Sequence, residues 1–191
     1  MKRLFFGIAI LSSQLFISTA VFAQNNFTPV PLDSVCNRDI VDDTPEGDGK
    51  GGWSDQGKDN CLDKFPRGKT TLKDIPFQIP EKGNSCIMFK GQKLSKLSGL
   101  ANDVTIKVPA GAKGNNFYLL ACFVWGAKEG EGAADLTVKY TDGGTDEQRM
   151  VYGRHVGGWW GPSDLPKAVV AWKGKNGQGA DVGVYLIPYS P

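Results

Sequence analysis

Histidine is nearly absent from this chain, which has one, His155. A Ser–His–Asp triad would therefore depend on that single residue. No C-x-x-C or Cys/His cluster gives zinc another ligand set. An excess of charge of one sign is also lacking. The formal charge of +2 includes Lys2 and Arg3, and falls to zero without them. A near-neutral chain with scattered charges has no electrostatic footprint for nucleic acid or for an anionic membrane. Helical periodicity is scarce. "LSKLSGLAN", with Leu94, Leu97 and Leu100, has the spacing but is too short and too rich in Ser and Gly for a major helix.

The apolar run at the N-terminus has its own reading. Lys2 and Arg3 precede an apolar stretch from Leu4, and Val21-Phe22-Ala23 supplies a cleavage site. Residues 1–23 read as a secretory signal removed before Gln24, with no cysteine following to take a lipid. The expectation is a secreted or periplasmic protein, free of the membrane after cleavage. Residues 24–191 then form one domain large enough to bury a proper core. An even count of four cysteines suits an oxidising compartment. Cys36 and Cys61 bracket a polar loop and are expected to pair, stabilising by roughly 3–4 kcal/mol on the chain-entropy model. Cys86 and Cys122 sit in apolar runs, where a bond and two buried thiols fit equally well.

What the chain has in quantity is short strands. Residues 24–34 read as an extended lead-in, with Pro29 and Pro31 excluding helix. Residues 36–73 read as an ordered Gly/Asp/Lys-rich loop region. "DIPFQIP", "SCIMFKG", "NDVTIKVPA", "NNFYLLACFVWGA", "ADLTVKYTDG", "TDEQRMVYGR", "KAVVAWKG" and "DVGVYLIPYS" then follow, divided by Gly, Pro, Asn or Asp. Leu136, Val138 and Tyr140 alternate with polar neighbours, as one half-buried sheet face should, and Asp142-Gly143 marks a hairpin. With no crossover helices, the expected fold is all-β, an antiparallel β-sandwich of the jelly-roll kind.

One stretch invites chemistry: "DDTPEGDGKGGWSDQGKDN", residues 42–60. Gly47, Gly49 and Gly52 match G-x-G-x-x-G, but that cradle needs a strand before it and a helix after it. "WSDQGKDN" opens no helix. The acids Asp42, Asp43, Glu46, Asp48, Asp55 and Asp59 are hard oxygen ligands among glycines, the chemistry of a calcium loop. Asp43 and Asp48 are the first candidates for such a structural calcium. Acids in a Gly-rich loop equally cap turns through their own side chains. Read as an enzyme, the chain would use two of these carboxylates on a glycosidic bond, which demands a defined separation.

Tryptophan carries a different signal. Trp53 stands in the polar loop with no apolar run beside it. Trp159 and Trp160 are adjacent, so on a strand one enters the core and the other faces out. Trp125 and Trp172 lie in apolar runs and read as core. An exposed indole is a platform for the C–H face of a sugar. Trp53 with Trp159 or Trp160 would stack, and Asp43, Asp55 and Arg154 would reach the hydroxyls.

The order "DGKGGWSDQG", "FPRGKTTLKDIPFQI", "SCIMFKG", "IKVPAGAKGNNFYLLACFVWG", "VKYTDGG", "GGWW" and "VAWKGKN…VGVYLIPY" resembles β-sandwich domains attached to bacterial glycoside hydrolases. These are similar to the galactose-binding-like fold of carbohydrate-binding modules. The resemblance covers about residues 36–190. It implies a jelly roll, often with a structural calcium, and non-catalytic recognition of a polysaccharide or oligosaccharide by loops at one end. It also implies that Trp53 and Asp55 belong to a recurring motif that holds the loop. Such modules usually accompany a catalytic domain, which leaves two other readings: a glycan-degrading hydrolase or lyase, and a structural module of a surface complex with a protein partner.

Overall fold

A computed structural model describes residues 27–91, 96–109 and 113–191. The expected signal segment, residues 1–23, and Leu94 lie outside the described residues. Among those described, no helix is long and apolar enough to cross a membrane. The chain is all-β. Among the described residues seven strands run in order: β1 Gly68–Leu72, β2 Ile75–Ile79, β3 Phe117–Ala121, β4 Gly132–Lys139, β5 Thr145–Val151, β6 Val169–Lys175 and β7 Asp181–Tyr189. Every ladder is antiparallel, giving the hairpins β1–β2 and β4–β5 and the sheet β3–β7–β6. One 3-10 turn, Lys58–Asn60, is the only helical element among the described residues.

The two hairpins form for different reasons. At β4–β5 the chain reverses around Asp142-Gly143, where Gly143 has a φ of 93°. The Gly144 N–H donates to the Asp142 carboxylate at 2.9 Å, as the sequence anticipates. At β1–β2 the two residues Lys73 and Asp74 both adopt positive φ, 51° and 62°. That is the signature of a type I′ turn, formed here without glycine. Strand β1 therefore falls inside the region expected to be loop. Conversely, "SCIMFKG" makes only the isolated bridges Arg38–Cys86 and Phe89–Ala101, and the described residues 102–109 of "NDVTIKVPA" form neither strand nor bridge. Leu97 and Leu100 are buried together against Met88 and Val124 but form no helix.

Strand β7 is the centre of the fold and is buried on both faces. Val182 and Val184 enter a core with Ile40, Trp53, Leu62, Phe65, Ile79 and Trp159. Tyr185 and Ile187 enter a second core with Met150, Val156 and Ala168. The N-terminal loop region and β1–β2 thus cover one face of the central sheet, and the β4–β5 side covers the other. A strand between two apolar layers reads as a continuous hydrophobic run, which is what "VGVYLI" is.

Past β3 the central sheet takes in one further segment. The Phe123 N–H donates to the Gly157 carbonyl, and the Trp159 N–H to the Phe123 carbonyl. Gly183 N–H then donates to Trp159, and Gly161 N–H to Asp181, on the β7 side. Residues 157–161 are in this way laced between the end of β3 and the start of β7.

The expected Cys36–Cys61 bond is not formed; all four cysteines are free thiols. Cys36 stands two residues before Arg38 of the Arg38–Cys86 bridge, with the Asn37 N–H donating to the Cys86 carbonyl. Cys61 is held elsewhere: its thiol donates to the Lys58 carbonyl at 3.2 Å, and Leu62 N–H donates to Ile40. Burial pushes the Cys122 thiol up to about 12. Burial also raises Cys86, helped by neighbouring Cys122 and Cys36.

Candidate functional site

The Gly/Asp loop is organised around a buried carboxylate. Asp42 is fully buried. Its Oδ1 accepts from the Thr44 N–H at 3.2 Å and the Thr44 hydroxyl at 3.1 Å, and its Oδ2 from the Gly57 N–H at 3.0 Å. Gly51 makes room for it, since a Cβ there would stand 2.3 Å from Oδ1. Asp55, with φ 53°, accepts from the Gly49 N–H at 3.2 Å. Ser54 donates to the Asn60 carbonyl. Asn60 in turn accepts from the Asn176 side chain at 3.1 Å, which docks the loop on the β6–β7 turn.

These contacts bear on the calcium expectation. Asp43 is exposed. Asp48 spends Oδ1 on the Lys50 N–H at 2.8 Å and the Thr44 hydroxyl at 3.3 Å. Among the described residues no three His, Cys, Asp or Glu side chains gather to hold a metal ion. Asp42, Asp48 and Asp55 serve the loop's own N–H groups, and with no carboxylate cluster among the described residues this donor set does not fit calcium.

The tryptophans form a ladder from core to surface. Trp53 is 3% exposed and Trp159 2%, with ring centroids 5.0 Å apart at 76°. Trp159 meets Trp160 at 5.6 Å and 85°, and Trp160 is 45% exposed. Both contacts are edge-to-face, the favoured aromatic geometry. The expectation of one buried and one outward residue in the pair holds. Trp53 as a stacking platform does not: the two glycines before it, Gly51 and Gly52, let the chain pack closely against Asp42 and Val41, and it becomes core. Its Nε1 is buried without a hydrogen-bond partner among the described residues, so its role is packing.

The remaining expected contacts do not assemble around Trp160. Asp55 is buried within the loop. Arg154 is exposed in the turn after β5, where its N–H donates to Val151 and its carbonyl accepts from Lys167. His155 sits in the same turn, with Nδ1 accepting from the Val151 N–H at 3.1 Å. Burial, Arg154 and Lys167 together push its pKa down. It is held as a neutral acceptor for the turn and meets no hydroxyl nucleophile there.

Sequence reasoning missed two features of this corner. Trp125, expected in the core, is 40% exposed because its φ of 67° turns the chain out of the apolar run. Trp125 and Trp160 each lie two residues past the Phe123–Gly158 bridge, so the bridge carries an exposed indole on either branch. Beside Trp160, which bridges to Val182, the exposed pair Lys175–Asp181 closes at 2.8 Å. The hydrogen bond from Lys175 holds the Asp181 carboxyl below its ordinary range.

No protein-family model matches the chain, and comparison with characterised proteins and with solved structures finds no match either.

Proposed function

We propose that the protein is an exported, non-catalytic carbohydrate-binding module of the galactose-binding-like, jelly-roll kind, and that it receives a polysaccharide or oligosaccharide on Trp160. The observation that carries this reading is the contrast within the tryptophan ladder. Trp160 is 45% exposed, yet it rests edge-on against an indole locked in the core. An aromatic platform held in place before binding loses little freedom when a ligand stacks on it. The loop acids lend the enzyme reading less support, because Asp42 and Asp55 are occupied with loop N–H groups.

A glycan array with the purified protein, followed by titration of the strongest binder, tests the proposal. Trp160→Ala is expected to weaken binding at least tenfold, about 1.4 kcal/mol, with an unchanged melting temperature. That loss lies near the lower end of the ~1.5–3 kcal/mol gained by burying a large apolar side chain. Equal affinity of the variant, or no glycan bound at all, would overturn it.

A further inference from the structure

Two residues beyond Trp160 the chain enters a shallow cleft of about 400 Å³. Pro162, Ser163 and Asp164 form one wall, β6 the floor, and two lysines from separate elements converge on it: Lys73 from the β1–β2 turn and Lys173 from β6. We infer that the saccharide received on Trp160 is anionic, a glycan bearing uronate or sulfate groups, with an acid group seated between Lys73 and Lys173. This rests on the Trp160 reading and adds the ligand's class to it.

The charges in the cleft are unbalanced. Among the described residues the ion pairs are Arg67–Asp39 and Lys175–Asp181, so neither cleft lysine has a carboxylate partner. Lys173 is within electrostatic reach of Asp181, but that carboxylate's hydrogen bond goes to Lys175. The one acid in the lining, Asp164, uses Oδ1 to accept from the Val170 N–H at 2.7 Å. Two lysines lining one cleft with no carboxylate partner would both attract an anion placed between them. The Ser163 hydroxyl adds a neutral donor. Continuity comes from the backbone: Pro162 packs at Gly183, where a Cβ would stand 2.7 Å from the proline ring. Gly183 pairs with Lys173 and follows Val182, the bridge partner of Trp160. Trp160 and Lys173 thus flank neighbouring residues of β7, Val182 and Gly183, from its two edges.

Lysine is a hydrated point charge rather than a bidentate fork, so these contacts should be screened by salt. The test titrates the protein with a neutral galactan oligosaccharide, an oligogalacturonate and a sulfated galactan oligosaccharide, at about 0.02 and 0.5 M salt. The expected result is preference for the acidic probes by about tenfold or more at low salt, reduced at high salt. Lys73→Gln/Lys173→Gln should remove that preference without altering melting temperature or neutral-sugar affinity. The carboxylate and sulfate probes identify which acid group is used. Equal affinity for neutral and acidic probes, or an unaffected double lysine variant, overturns this inference and leaves Trp160 as a platform. Failure of every probe and of the array overturns the Trp160 reading itself.

Discussion

Removing the Asp42 carboxylate tests whether the Gly/Asp stretch is a structural device. Asp42→Ala strips three donors of their acceptor: the buried Gly57 N–H, and the Thr44 N–H and hydroxyl, which are only partly buried. An unsatisfied buried donor costs about 1–3 kcal/mol. The two Thr44 donors recover water more easily and lose about 0.5–1 kcal/mol each. The sum is about 2–5 kcal/mol, a large part of the ~5–15 kcal/mol that holds a typical domain together. With a urea m-value of about 2 kcal/mol/M, the unfolding midpoint should fall by about 1–2.5 M. Asp42→Asn keeps one oxygen for Thr44 but sets an amide N–H against Gly57, so it should fall between the two. Urea titration followed by tryptophan fluorescence reads all three proteins, since Trp53 lies in this loop. If Asp42→Ala unfolds within about 0.5 kcal/mol of the parent, the carboxylate does not organise the loop and the reasoning fails.

Two further predictions concern the tryptophans and the lone histidine. Trp53→Ala should cost about 3–5 kcal/mol of stability, because it removes a 3%-exposed indole packed on Trp159; a loss under 1 kcal/mol would show that the ladder is not anchored in the core. His155 has its pKa lowered from an ordinary 6.5, so below that pH the unfolded chain binds more protons than the folded one. Stability from this group is complete above about 6.5 and is lost as pH falls through that value toward the folded pKa. Melting temperature between about pH 7.5 and 5.5 should therefore decline more steeply in the parent than in His155→Gln, and identical slopes would refute it.

The strands that the sequence displayed were those whose local pattern and tertiary surroundings agree. Strand β7 reads as a continuous apolar run because both its faces are covered, and β4–β5 announces itself through Asp142-Gly143. Strand β1 was hidden because Lys73 and Asp74 take a type I′ turn that usually calls for glycine or asparagine. The runs around Cys86 and Val104 look like strands in sequence, yet the first finds only isolated bridge partners and the second none among the described residues. Apolar content promises burial, while a ladder requires a neighbour in register.

The same distinction governs the candidate site. Trp53 read as a surface residue because its sequence neighbours are glycine and polar. What covers it is a loop docked through Asn60 on Asn176, 116 residues away, which no local window contains. Trp125 read as core from its apolar neighbours and is turned outward by one backbone angle. Lys73 and Lys173 carry no signal in the sequence, where a lysine is ordinarily a solvated charge. They become a candidate pair because a turn tip and a strand from distant parts of the chain converge on one cleft. The indole of Trp160 alone would favour any sugar with an apolar face. Selectivity for acidic sugars would have to come from those two ammonium groups, so a lysine variant that keeps the fold separates stacking from charge recognition in a way that no tryptophan variant can.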